Sequence, residues 1–295
     1  MIDRNKIKSP GISIWFSIIW IVFILSSALC AGFLSLPEYD HIDWENPSAP
    51  PGTSGEMSAV NSIGQPIQKE IVYFFGTDTM GRDILTRLIF GARISLIIGL
   101  AVPFIGIVIG GWLGMLAGFY TRKVETVIMA TMDTILAFPG IVLLLAITFY
   151  LGHGIENIVT ALGILVIPAF TRVARANTLK YSQSEFVQAA RMLGHNDAYI
   201  LICEILPNII MPMVVYALML VSYMIVAEGV LSFLGLSVTA PIPSWGGMIS
   251  EGKEALEESP HITFFPAFFM FLTVLSFNLL GDYLRTLVDT KEGQL

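Results

Sequence analysis

Six apolar runs dominate the chain, at about 12–36, 94–120, 127–151, 158–179, 209–234 and 264–287, separated by short polar stretches. A bilayer core of about 30 Å takes roughly 20 helical residues, and a helix satisfies its own backbone polar groups, so each run predicts a transmembrane helix. Pro103, Pro139, Pro168 and Pro212 interrupt the runs, which membrane helices tolerate better than soluble ones. Two longer polar segments face one side, 37–93 and 235–263, and one faces the other, 180–208. The stretch NPSAPPGTSGEMSAVNSIGQP in the first of these is rich in Pro, Gly and Ser and predicts the least ordered part of the chain. The organisation expected is an N-terminus over 1–11, a first helix over 12–36, an outer loop with an amphipathic segment over 37–93, a five-helix core over 94–290 and a tail over 291–295.

Composition agrees with a membrane protein and excludes other classes. Hydrophobic residues make up 55% of the 295 and charged residues 13%, about half the globular norm of roughly 25%. A mean hydropathy of +0.74 excludes a disordered chain, and a net charge of −7 excludes a nucleic-acid binder. Cys30 and Cys203 stand alone in different segments, so neither a disulfide framework nor a zinc site is indicated. The first run is too long for a signal-peptide core and lacks a small-residue cleavage site, which makes it a retained helix. With the N-terminus inside, Arg4, Lys6, Lys8, Arg122, Lys123, Arg172, Arg175, Lys180, Arg191, Arg285 and Lys291 are cytoplasmic, which puts both termini inside. Lys69, Arg82, Arg87, Arg93 and Lys253 fall outside.

Charged and polar residues in or beside the runs are the candidates for function. Asp78, Arg82 and Asp83, followed by Arg87 and Arg93, read as a solvated outer rim whose Asp/Arg pairs contribute about 0.5 kcal/mol each. Glu228 sits towards the outer end of the fifth run, ahead of Ser232 and Phe233, as a gate residue or a packing partner. Pro241, Pro243, Ser244, Trp245 and Gly246 predict a rigid turn with an aromatic anchor at the outer interface. Asp133, Asn278 and Asp282 predict packing or hydrogen-bonding groups at the inner mouth, with Arg285 snorkelling. The four histidines are isolated, and no nucleophile and base pair occurs, so no catalysis is expected. The only Gly-Lys pair, Gly252-Lys253, is followed by Glu254 and cannot form a phosphate-cradling loop.

Between the fourth and fifth runs, Phe186, Ala189, Ala190 and Leu193 recur at helical spacing beside Glu185, Gln188 and Arg191. Gly194 predicts the end of this short helix, and Asn196 or Asp197 the cap of a second. Trp is absent and the basic face thin, which favours a protein partner over a lipid surface. The segment resembles the inner loop of permease subunits of binding-protein-dependent ABC importers, which carries Glu-Ala-Ala, three residues, Gly, nine residues and Ile-x-Leu-Pro. Gln188-Ala189-Ala190, Gly194 and Leu206-Pro207 match its spacing, while Gln188 replaces Glu and Glu204 replaces Ile. Four further stretches resemble the second permease subunit of the dipeptide and oligopeptide branch: GTDTMGRDILTRLIFGARISL from Gly76, MDTILAFPG from Met132, EGVLSFLGLSVTAPIPSWGGM from Glu228 and LTVLSFNLLGDYLRTLVD from Leu272.

The resemblance implies an all-α integral membrane protein of the type I importer kind, with six transmembrane helices and a cytoplasmic coupling helix between the fourth and fifth. It implies a prokaryotic inner-membrane location and a pathway shared with a second, homologous permease. Two ATPase subunits would bind ATP and Mg, an external binding protein would deliver substrate, and membrane lipid would surround the chain, which itself would bind no cofactor and perform no catalysis. Glu185, Phe186, Gln188, Ala189, Ala190, Arg191, Gly194, Leu206 and Pro207 would form the coupling contact, with Ala190 on the docking face. Asp78, Arg82, Asp83, Glu228, Ser232, Phe233 and Trp245 would belong to the outer vestibule. The substrates implied are di- or oligopeptides, with nickel, glutathione or an oligosaccharide as alternatives. A secondary transporter driven by an ion gradient is the competing class, and it calls for paired charges near midmembrane that the sequence does not supply.

Overall fold

A computed structural model describes residues 11–34, 36–60 and 66–292. Arg4, Lys6 and Lys8 of the expected N-terminus and residues 293–295 of the expected tail lie outside the described residues. Helix α1 runs Ile12–Cys30 and ends in a 3-10 turn, Ala31–Phe33. Strands β1, Thr53–Val60, and β2, Pro66–Tyr73, pair antiparallel, Thr53 opposite Tyr73 and Val60 opposite Pro66. Then come α2 (Ile84–Phe119), α3 (Lys123–Ala137), α4 (Gly140–Leu151), α5 (Ile155–Ser182), α6 (Glu185–Met192), α7 (Asp197–Phe233), α8 (Trp245–Gly252) and α9 (His261–Glu292).

Among the described residues five helices, α1, α2, α5, α7 and α9, are long and apolar enough to span a membrane, and α3 with α4 makes a sixth crossing if the bent pair counts as one. The expected third span is therefore broken, with an 81° bend between its halves. The cause is local: Pro139 forces Phe138 out of the helical region to an extended ψ of 130°, and the chain re-enters a helix at Gly140. The expected second span begins about ten residues early, at Ile84, where Asp83 accepts from the backbone N–H and hydroxyl of Thr86 and caps the helix.

Of the stretch expected to be least ordered, residues 61–65 lie outside the described residues, while the described segments that flank it are tied together. Tyr73 of β2 is buried and donates its hydroxyl to Asp43 Oδ2 at 3.0 Å, and the Asn46 side chain donates to the same oxygen at 2.9 Å. Burial raises the Asp43 carboxyl, but these donors and the Glu45 amide outweigh it and hold the group below its ordinary range.

The chain divides into two compact units. One takes the chain up to Trp15, Gly99–Met224 and the last helix from Phe277 onward; the other takes Phe16–Ile98 and Ile225–Ser276. The first unit is built on the packing of α2 along α5, and glycine makes that packing possible. Gly106, Gly110, Gly114 and Gly118 recur every fourth residue and so share one face of α2. A Cβ would stand 2.1 Å from the Phe170 ring at Gly106, 2.7 Å from the Ile167 carbonyl at Gly110, 2.4 Å from the Thr171 carbonyl at Gly114 and 2.7 Å from Thr178 at Gly118. Small residues at this spacing let helix backbones approach where lipid supplies no hydrophobic drive. Within the stripe, Gly106–Gly110 is π-helical, a widened turn shortly after Pro103.

Gly114→Val sets a side chain against the α5 backbone, which cannot yield as a flexible side chain would. An overpacked interface costs about 1 to 3 kcal/mol, so a lower thermal midpoint and a reduced monodisperse yield are expected, with Gly152→Ala, which meets open space but has positive φ, as a comparison for backbone strain alone. Unchanged stability of Gly114→Val would refute the close-approach account.

Candidate functional site

The inner segment forms the short helix predicted for it, and its ends are set by sequence. Ser184 sits extended at the start, and its carbonyl accepts from the Gln188 amide at 3.2 Å. Gly194 ends the helix with φ of +83°, where the Gly194 amide donates to Arg191 and the His195 amide to Ala190. That pair of bonds is a Schellman ending, which requires the left-handed conformation and so favours glycine. Asn196, rather than Asp197, caps the next turn by accepting from the Tyr199 amide at 2.8 Å. Helix α7 then opens with a π-helical stretch, Ile200–Ile205.

The orientation of α6 differs from the expected one at a single residue that matters. Val187 and Ala190 are buried, and the helix packs on α5 and on the π-helical stretch of α7. Ala190 therefore belongs to the chain's own interior and not to an outward docking face. The outward face carries Glu185, Phe186, Gln188 and Ala189, followed by Met192 and Leu193 at 87% and 78% exposure. Arg191 lies over the Phe119 ring at 5.0 Å, tying the outward helix to the end of α2. Leu206 is half-buried and Pro207 exposed, both on the first turns of α7 that follow the π-helical stretch.

In the second unit the expected solvated rim is an ion network whose Asp78, Arg82 and Arg87 are buried and whose fourth member, Glu251, is exposed. Arg82 Nε donates to Asp78 Oδ2 at 2.6 Å and Arg87 Nε approaches the same oxygen at 3.4 Å. Both guanidinium groups then reach Glu251 Oε2, at 2.7 and 2.9 Å. Arg87 is 1% exposed, and its Nη1 also faces the carbonyls of Tyr39 and Pro241 at 3.4 Å. Removing Asp78 leaves two buried guanidinium groups short of a partner, a loss of about 3 to 5 kcal/mol rather than the ~0.5 expected of a solvated pair, whereas the exposed Glu251 is screened by solvent and its loss costs less. Glu251 was not a candidate from sequence, because 169 residues separate it from Arg82 and no local pattern marks it. Asp83 takes no part in the network; it caps α2, and burial pushes its carboxyl above the ordinary range despite the Thr86 donors.

Glu228 is fully buried, and its Oε1 accepts the hydroxyls of Ser232, Ser237 and Ser244 at 2.9, 2.7 and 2.7 Å. Ser244 also accepts from the Gly247 amide, capping α8. One carboxylate thus pins the end of α7 and the chain leading into α8. Trp245 is fully buried and not an interfacial anchor: its indole donates to the Leu88 carbonyl at 3.0 Å and its amide to Ser95 at 3.2 Å. A Cβ at Gly246 would stand 2.4 Å from the Gly229 backbone, so glycine is required at that crossing. Phe233 remains exposed, with Lys253 over its ring at 5.8 Å.

Of the inner-mouth candidates, Asp133 pairs with Arg172 of α5 at 2.7 Å, in an exposed bridge. Glu125 of α3 pairs with Arg175, one turn along α5, so both halves of that contact are ionic. Asn278 is half-buried and Asp282 exposed on α9, and the structure does not join either to Asp133.

Residues 106–293 match the family described as "Binding-protein-dependent transport system inner membrane component". A glutathione transport system permease protein, GsiD, of Pectobacterium atrosepticum is 42% identical over 219 residues, covering 74% of this chain and 73% of that protein. The GsiD protein of Escherichia coli O6:K15:H31 is 45% identical over the same length, covering 72% of that protein. In fold, the chain is similar to an inward-facing form of the MetNI methionine ABC transporter, with a TM-score of 0.57 at 16% identity, covering 69% of this chain and 95% of the other. Apolar helices, family and fold agree: the chain belongs to the inner membrane components of binding-protein-dependent transport systems, as a multi-pass permease subunit of an ABC importer.

Proposed function

We propose that this chain forms half of the translocation pathway for short peptides, glutathione among them, and couples it to two partner ATPase subunits. A second permease completes the pathway and an external binding protein delivers the substrate. The relatives named for glutathione, itself a tripeptide, support this substrate class. The observation that carries the coupling role is the outward face of α6, where Met192 and Leu193 stand exposed beside Glu185 and Gln188 on a helix whose other face is buried. A lipid-surface helix calls for a basic polar face and interfacial aromatics, and α6 has one Arg and no Trp.

The mechanical route follows from connectivity. α5 passes into α6 through Gln183 and Ser184, and α6 passes into α7 within a few residues, so a push on α6 reaches both long helices. α5 is in turn keyed to α2 by the glycine stripe, so these helices move as one body. ATP and Mg reside on the partners, and this chain does no chemistry of its own. The positive-inside distribution supports a cytoplasmic side for α6 and both termini.

Three outcomes are expected. The purified chain alone binds no ATP in a saturable way, since it lacks a phosphate-cradling loop; saturable binding would overturn the division of labour. Ala189→Trp adds bulk to the outward face, and about 1 to 3 kcal/mol of overpacking lowers complex assembly or binding-protein-stimulated ATP hydrolysis tenfold or more. Wild-type assembly, hydrolysis and uptake in that variant would remove α6 as the coupling element. In a chain with Cys30 and Cys203 replaced by Ser, an impermeant thiol reagent applied from outside labels Lys253→Cys and misses Lys123→Cys. The reverse pattern would invert the orientation.

A further inference from the structure

Within the first unit, α5, α7 and α9 enclose a cleft of about 650 Å³, large enough for a tripeptide. Its walls are mostly apolar, from Val173, Pro212, Val215, Met219 and Leu220, but four polar side chains enter from three helices: Asn177 from α5, Tyr216 and Tyr223 from α7, and Arg285 from α9. Tyr216 and Tyr223 lie seven residues apart and so share one face of α7. The Asn177 amide nitrogen donates to the Val173 carbonyl at 2.9 Å, which leaves the side-chain oxygen as an acceptor. Tyr216 is held by an edge-on contact with Phe170, 5.0 Å between ring centres, the same Phe170 that fills the space over Gly106.

This combination matches one ligand chemistry. A short peptide offers a carboxylate, backbone N–H and C=O groups at fixed spacing, and side chains that vary. A guanidinium is the side chain suited to a carboxylate, an amide oxygen accepts a peptide N–H, and phenols serve either partner. Apolar walls then tolerate different side chains, as in other ligand pockets with few polar groups. We propose that this cleft is a peptide subsite on the pathway, with Arg285 holding the peptide carboxylate and Asn177, Tyr216 and Tyr223 engaging its backbone. The inference rests on the short-peptide reading and assigns that reading to residues of this chain.

The test uses the intact transporter, purified with its partner subunits and without the binding protein, so that selection upstream plays no part. Leu220→Cys, in the background lacking Cys30 and Cys203, reports on the cleft through its rate of modification by a maleimide. Trialanine at millimolar concentration is expected to slow modification at least threefold, and trialanine amide, which lacks the carboxylate, less than 1.5-fold. Arg285→Gln should remove the protection by trialanine while the complex stays assembled and monodisperse, and Arg285→Lys should restore part of it. Equal protection by both peptides, or protection that survives Arg285→Gln, would overturn the carboxylate assignment. A cysteine that reacts in the isolated chain but not in the assembled complex would show that a partner helix covers the cleft, which also overturns it. Failure of the ATPase subunits to assemble at all would instead count against the proposed function and is read separately, from the composition of the purified complex.

Discussion

The close approach of α2 and α5 is the constraint on which the rest of the first unit depends. Lipid tails are as apolar as leucine, so burial alone gives two membrane helices no reason to associate, and van der Waals contact has to do that work. Four glycines in one line let the backbone of α2 come against the carbonyls of Ile167 and Thr171 and against the Phe170 ring. Once α5 is fixed there, its polar side faces α3 with Arg172 and Arg175 bonded to Asp133 and Glu125, and its end delivers the chain into α6.

The second unit is held by a different device. Asp78, Arg82 and Arg87, close together in sequence and buried, are joined by the distant and more exposed Glu251 in one neutralising network, and three serines converge on Glu228. Networks of this sort contribute less to stability than they cost to break, because each member is solvated poorly without the others. Their use is to fix one arrangement of the outer segments. Asp78, Arg82, Glu228 and Trp245 are therefore held by contacts that position backbone, and Phe233 is the vestibule candidate that stays exposed.

Most of the architecture was legible in the sequence because membrane helices announce themselves by length. Helix ends carrying strong local chemistry were legible too: Gly194 ends α6 with positive φ, and Asn196 caps the following turn. What could not be read depends on contacts between distant segments. Nothing near Glu251 marks it as the partner of Arg82 and Arg87, and nothing in the α6 pattern tells whether Ala189 or Ala190 turns inward, since the two are 100° apart on a helix with small residues on both sides. The pairing of β1 with β2 was not legible because Pro, Gly and Ser mark turns as readily as disorder, and the bond that anchors β2, Tyr73 to Asp43, spans 30 residues. The glycine stripe is a different case: the four-residue period from Gly106 to Gly118 was visible in the sequence, and a search for small residues at helical spacing finds it.

The central claim is that α2 and α5 form a rigid pair through which α6 moves the pathway. The most direct measurement is the distance between spin labels on the exposed positions Trp112 of α2 and Ala176 of α5, taken in the assembled transporter without nucleotide and again with ATP trapped. The account predicts the same distance in both states, within about 2 Å, while a label at Ala189 moves relative to a fixed label on the second permease. A change between α2 and α5 as large as the movement at α6 would contradict it.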